Sequence, residues 1–218
     1  FVTTGLTGGV RDVVLASWQR SRASGVDPDA ALPPVDLLDG DLAEYRDAHP
    51  LASVMPVVRR LLVDDAVDTG LVVAVSDDAG RLLWVEGSPG LRSRAESMNF
   101  VEGANWSEAH AGTNAPGTAL ATDHAVQIFG HEHWNRIVQP WSCTAAPIHD
   151  PSTGRVLGVL DVTGGDVVAS PHSLALVQAA VHAIETELRL LTMAPPVPRS
   201  RRNGPRAATR RLEVLGVD

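Results

Sequence analysis

Two parts of this chain have the residue pattern of a β-hairpin. LVVAVS (71–76) and RLLWVE (81–86) are apolar, β-branched runs separated by DDAG; WSCTAAPIH (141–149) and RVLGVLDVT (155–163) flank DPSTG. Each connection puts turn residues where a tight reversal needs them. Asp150 and Pro151 stand in turn-initiating order, and Gly154 can adopt positive φ. Two hairpins demand antiparallel pairing, which argues against the βαβ alternation of a parallel sheet. A further strand is expected at AVQIFG (125–130), with a loop or short helix at 88–98 and a short helical piece at 131–138.

Upstream of Gly70 the period is helical. Val10, Val13, Val14, Ser17 and Trp18 recur at three- and four-residue steps, predicting a helix over 9–24 that stops at Gly25. After the break ALPPVD, a weaker helix is expected over 37–48. Pro50 then opens a third, with Leu51, Val54, Met55, Val58, Leu61 and Leu62 on one face and Pro56 near its start. At the other end, Ser170 and Pro171 form an N-cap and first-turn pair. Leu174, Val177, Val181, Ile184, Leu188 and Leu191 then step by 3, 4, 3, 4, 3, a seam that suits either packing on the chain's own sheet or a helix-helix dimer.

These elements predict an α+β fold: an antiparallel sheet of five to six strands flanked by helices, preceded by an N-terminal helical segment. The expected organisation is a helical segment over 1–49, a folded unit over 50–194, and a proline-rich, basic linker over 195–218. Within that linker, RLEVLG (211–216) reads as the start of another folded unit.

Charge and composition narrow the function. The formal charge is −8, yet Arg199, Arg201, Arg202, Arg206, Arg210 and Arg211 face only Glu213 and Asp218, which leaves the first 198 residues near −12. An acidic body repels a phosphate backbone, so DNA contact is expected only through a domain outside this chain. Hydrophobic residues at 44% and charged residues at 20% give a soluble, globular balance. No apolar run reaches the roughly 18 residues of a spanning helix. The first residues lack the pattern of a secretory signal, so a cytoplasmic protein without membrane contact is expected.

Catalytic patterns fail one by one. WSEAHAGTNAPGTAL (106–120) spaces Gly112 and Gly117 like a phosphate loop, but Thr118 and Ala119 stand where lysine and a hydroxyl are needed, and every basic residue here is arginine. No G-x-S-x-G elbow is present. The single cysteine, Cys143, excludes an internal disulfide, and strand alternation places it with Trp141 and Ala145 on one face. His131 and His133 have no second ligand pair. Asn105 precedes Glu108 by three residues, a capping-box spacing that predicts a helix start near Trp106. Thr113, Asn114 and Thr118 beside Trp106 and His110 offer the mixture of polar and apolar groups that lines small-molecule pockets. The same glycines and hydroxyls also suit close helix packing.

WSEAHAGTNAPGTAL, VQIFGHEHW and CTAAPIHDPSTGRVLGVLDVTG occur in an order that resembles the GAF-type sensory domain of bacterial regulators of the acetoin-catabolism activator type. ASWQRSRASGVDPD resembles the segment preceding that domain. The resemblance covers about 10–192. It implies a GAF fold with a ligand cavity between the sheet and its covering segments, homodimerisation through terminal helices, and relay to a DNA-binding domain. It implies no enzymatic activity and no cofactor, only a small organic effector. Carried over as ligand-binding are Trp106, His110, Thr113, Asn114 and Thr118, with Cys143 across the cavity; Trp84 and Trp141 are candidate apolar wall. Pro116 departs from the commoner GTNAIG. Two alternatives remain: thiol chemistry or redox sensing at Cys143, and a ligand-free dimerisation platform.

Overall fold

A computed structural model of the chain describes residues 6–7, 9–29, 32–64 and 70–193. Both hairpins form. β3 (Val72–Asp77) pairs with β4 (Leu82–Gly87), and β6 (Ser142–His149) pairs with β7 (Val156–Gly164), all antiparallel. The hairpins join through β3 and β7, with Val73 opposite Val162, and β5 (Val126–Phe129) closes the far edge beside β6. The result is a five-stranded antiparallel sheet in the order β4-β3-β7-β6-β5.

Helices cover both faces, and strand alternation sorts the side chains between them. The front core holds Val72, Ala74, Cys143, Ala145 and Val159 under α4 (Pro89–Glu96), α5 (Glu108–Ala111) and α6 (Ala115–Thr122). Phe100 and Trp106 meet edge to face there, with ring centroids 4.9 Å apart. The back core holds Val73, Val75, Ala146, Ile148, Leu160 and Val162 against the 50–63 segment and α7 (Pro171–Met193).

Local chemistry explains where elements begin and how regular they are. α1 (Asp12–Ala23) starts later than its apolar stripe suggests, because β1 (Leu6–Thr7) and β2 (Val10–Arg11) pair ahead of it. α2 spans Asp39–Ala48. The third helical run is 3-10 over Pro50–Val54, α-helical in α3 (Met55–Val58) and widened over Arg59–Val63. Pro56 has no N–H to give and its ring opposes the carbonyl four residues back, so a regular α-turn cannot run through it from Pro50. The expected helix at 131–138 is instead two 3-10 turns, Gly130–Glu132 and Arg136–Val138.

The middle of the α7 heptad seam is used internally, whereas Leu174 is half-buried and Leu191 exposed. Val177, Val181, Ile184 and Leu188 are buried in the back core, each stabilising by roughly 1.5–3 kcal/mol. Ser170 caps the helix, its Oγ accepting from the Ser173 N–H at 3.2 Å. Residues 194–218, including the basic linker, lie outside the described residues.

One ion cluster ties α7 to the sheet and to the end of α6. His149 Nε2 lies 2.7 Å from Asp123 Oδ1 and its Nδ1 3.0 Å from Glu185 Oε1. Partial burial pulls the His149 pKa down, but the hydrogen bonds and charges of Asp123 and Glu185 outweigh it, and the net shift is upward. A raised folded-state pKa means the cluster stabilises fully below the unfolded histidine pKa of about 6.5 and fades as pH rises through the folded value. His149→Gln should therefore lose most stability near pH 6 and progressively less towards pH 8.5, measured by urea unfolding across that range. A pH-independent difference would remove His149 ionisation from the stability of this face.

Candidate functional site

The segment 105–122 is a pair of short helices set at a sharp joint. Ser107 is the N-cap position of α5, while Asn105 turns back: its Oδ1 accepts from the Ser107 N–H at 3.1 Å and its Nδ2 donates to Asp36 at 2.7 Å. The capping box expected between Asn105 and Glu108 therefore does not form. Gly112 ends α5 at φ +69°, ψ −162°, a region essentially reserved for glycine, and a Cβ there would collide with the Trp134 ring. Asn114 caps α6, its Oδ1 accepting from the Gly117 N–H at 2.8 Å and its Nδ2 donating to the Gly112 carbonyl at 2.7 Å. Pro116 sits in the first turn, where its missing N–H costs nothing. A Cβ on Gly117 would lie 2.6 Å from the Trp106 carbonyl oxygen and 2.7 Å from the Glu108 nitrogen. Gly117 thus lets α6 approach the start of α5, rather than the sheet.

Glu108 is free of the helix terminus and reaches α1. Its carboxylate, 6% exposed, accepts from Ser17 Oγ at 2.5 Å, Thr118 Oγ1 at 2.8 Å, and Arg20 Nε and Nη2 at 2.5 and 2.8 Å. Ser17 Oγ also lies 2.7 Å from Thr113 Oγ1, which is 3.0 Å from Ser21 Oγ. The Arg20 guanidinium is held charged above its usual range by this hydrogen bond, against the opposing effect of burial. A buried carboxylate with four charge-assisted or hydroxyl donors is well satisfied. The cluster pins α1, α5 and α6 into one cover over the front face.

Beneath that cover the front face carries a second polar group. Asp161, 1% exposed in the middle of β7, accepts from Thr163 Oγ1 at 2.6 Å through Oδ2, while its Oδ1 has no hydrogen-bond partner among the described residues. Cys143 Sγ lies 3.1 Å from the same Thr163 oxygen. Burial pushes the Asp161 carboxyl up to about 7, and burial together with the nearby Asp161 charge raises the Cys143 thiol.

The eight residues expected at a ligand site divide into three groups. Trp106, Thr113, Asn114, Thr118, Cys143 and Trp141 are buried on the front side of the sheet. His110 is exposed and hydrogen-bonded to Ser107 at 2.9 Å. Trp84 belongs to the back core, with the Arg46 guanidinium 6.0 Å from its ring centroid. The sheet therefore separates Trp84 from the others. Two surface clefts, of about 280 and 230 Å³, include none of the eight; Arg92, Glu96 and Phe100 line the first, His49, Asp150 and Arg155 the second.

Cys143 has the wrong surroundings for a thiolate nucleophile. His149 is engaged by Asp123 and Glu185, and His110 by Ser107, and neither ring is hydrogen-bonded to Cys143. His133 is buried with its pKa lowered to about 4 by desolvation, and is therefore a neutral ring. Among the described residues, no group of three or more His, Cys, Asp or Glu side chains is placed to hold a metal ion.

Sequence reasoning missed Ser17 and Arg20 as partners of Glu108 and Ser21 as a partner of Thr113, and missed Asp161 with Thr163. One signal was available: Ser17 and Ser21, one turn apart with Val14, place hydroxyls on an apolar helix stripe. Such hydroxyls require a buried polar partner elsewhere.

Residues 1–186 match the family model described as MimR, N-terminal domain. The chain belongs to that family. Within it, the chain is 33% identical over 202 residues to the acetoin dehydrogenase operon transcriptional activator AcoR of Bacillus subtilis, covering 92% of this chain and 33% of AcoR. It is 33% identical to the propane 2-monooxygenase operon transcriptional activator MimR of Mycolicibacterium smegmatis, covering 88% of this chain and 32% of that protein. A 47.3 kDa Rhodococcus erythropolis protein encoded in the thcA 5' region is 56% identical, over 95% of this chain and 46% of its own length. The chain thus spans about a third to a half of these relatives. The Escherichia coli DhaR(N) structure, solved in complex with DhaL, superposes with a TM-score of 0.73 at 19% identity, covering 83% of this chain and 62% of that one. The α+β sheet described above is therefore the fold of that DhaR(N) domain. AcoR and MimR are both named as operon transcriptional activators.

Proposed function

We propose that this domain senses a small organic effector and relays its presence to a DNA-binding unit outside the chain, in a cytoplasmic transcription regulator. The observation that carries the reading is the buried cluster of Ser17, Arg20, Glu108, Thr113 and Thr118. It couples the N-terminal helix to the segment that roofs the front face, so a molecule lodging under that roof would alter the seating of α1. On this reading residues 1–49 act as a clasp on the sensing unit over 50–194, and 195–218 as a basic linker towards the output domain.

Binding to the native state alone raises stability by mass action, about 2.7 kcal/mol at a hundredfold excess over Kd. For a domain of this size that is a melting-point rise of roughly 5–10 °C. A thermal-shift screen across short-chain alcohols, ketones, diols and organic acids, with native mass spectrometry of the hits, tests the proposal. A protein that stays empty and unresponsive throughout would favour a dimerisation platform instead.

Dimerisation through α7 is the second part of the proposal. With its first seam committed to the back core, the helix carries another stripe of the same period: Leu176, Ala179, Ala183, Leu190 and Met193. Leu190 is 57% exposed and Met193 74%. This is the pattern of a helix pairing with a second copy. Leu190→Glu should shift the chain from dimer to monomer in analytical ultracentrifugation; a wild-type chain that sediments as a monomer at tens of micromolar would exclude the α7 contact.

A further inference from the structure

The least expected side chain in the front core is Asp161. Its neighbours directly opposite in register, Ala74 on β3 and Ala145 on β6, are methyls, and α6 with buried Ala115 and Ala119 packs over β6 and β7. Thr163 has one hydroxyl hydrogen and gives it to Oδ2 at 2.6 Å; Cys143, retaining its own hydrogen, can donate to the Thr163 oxygen at 3.1 Å. The chain Cys143–Thr163–Asp161 is thereby oriented and ends on Oδ1, which no donor among the described residues reaches. A buried polar atom without a partner costs free energy, and short apolar residues would fill this position more favourably. Such a group is retained where it has a use.

We infer that Asp161 Oδ1 is the hydrogen-bond acceptor for the effector, which belongs to the class of small organic molecules presenting a hydroxyl or a protonated amine. This rests on the sensing reading above and adds to it the anchoring atom and the ligand chemistry. The surrounding alanines favour a short carbon skeleton, and Thr163 holds the carboxylate in one orientation, so a donor arriving at Oδ1 meets a fixed acceptor. A donor in that position stabilises the charged carboxylate and lowers its pKa.

Propane-1,2-diol and 1-aminopropan-2-ol serve as hydroxyl and amine probes, with butanone as a control of similar size that only accepts hydrogen bonds. Calorimetric titration into the wild-type chain is expected to show binding of at least one donor probe and at least tenfold weaker binding to Asp161→Asn. Carboxyl-carbon NMR of the wild-type chain should show the Asp161 titration moving to lower pH when that probe is bound. This second readout decides the matter if Asp161→Asn fails to fold. Preference for the diol or the amino alcohol distinguishes the two donor types. Equal donor binding by wild type and Asp161→Asn would overturn the role of Asp161 while leaving sensing intact. Binding of butanone alone would overturn the donor class. Silence of both donors, with an unmoved Asp161 resonance, would overturn the inference; the broader metabolite screen judges the sensing reading separately.

Discussion

Arg20→Ala is expected to destabilise the domain by about 2–3 kcal/mol, below the range of about 3–5 kcal/mol for breaking a fully buried ion pair. The buried member is Glu108, 7% exposed at its side chain, whereas the Arg20 side chain is 40% exposed and recovers water contact when unpaired. Loss of the guanidinium leaves Glu108 with hydroxyl donors from Ser17 and Thr118 but no countercharge. Adding Glu108→Gln to Arg20→Ala removes the stranded charge, so the double variant should be more stable than the sum of the single effects predicts. Urea unfolding of the four proteins measures this. An Arg20→Ala midpoint equal to wild type would mean that α1 is attached by its other contacts alone. Those contacts, Val14 in the front core and Trp18 donating Nε1–H to the Glu132 carbonyl at 2.8 Å, would then suffice.

Gly112→Ala should have a still larger effect, about 3–5 kcal/mol, because two penalties coincide. The backbone conformation belongs to glycine and costs a substituted residue on the order of 1–3 kcal/mol, and displacing a packed ring adds a similar amount. The ring is that of Trp134, whose Nε1–H is anchored to the Val26 carbonyl at 2.8 Å and so cannot swing away freely. Gly25→Ala is the natural comparison, since Gly25 also has positive φ, +73°, but nothing lies within 4 Å of the added methyl. It should cost only about 1 kcal/mol. Thermal melts of the two variants that coincided would show that the Gly112 joint relaxes without moving Trp134.

Much of the scaffold was legible because its signals are local. The turns DDAG and DPSTG set two antiparallel hairpins, and strand period placed Trp141, Cys143 and Ala145 together on the front face. Ordered motifs pointed to the regulator family that the matching of residues 1–186 establishes. The candidate site was only partly legible. GTNAPG marked the joint between α5 and α6, yet Trp84 was carried over as apolar wall with the resemblance alone, and only its pairing opposite Val75 assigns it to the back core.

The sequence by itself determined the class of fold, the hairpins and the regulatory kinship, since each follows from residues near one another in the chain. Tertiary structure alone decided that Glu108 turns from its helix terminus to Arg20 across 88 positions, that the middle of the α7 seam goes to the back core, and that Asp161 is buried with one oxygen unpaired among the described residues. These outcomes depend on which distant surfaces exclude water together. Burial sets the strength of every polar contact, and it is a property of the packed molecule.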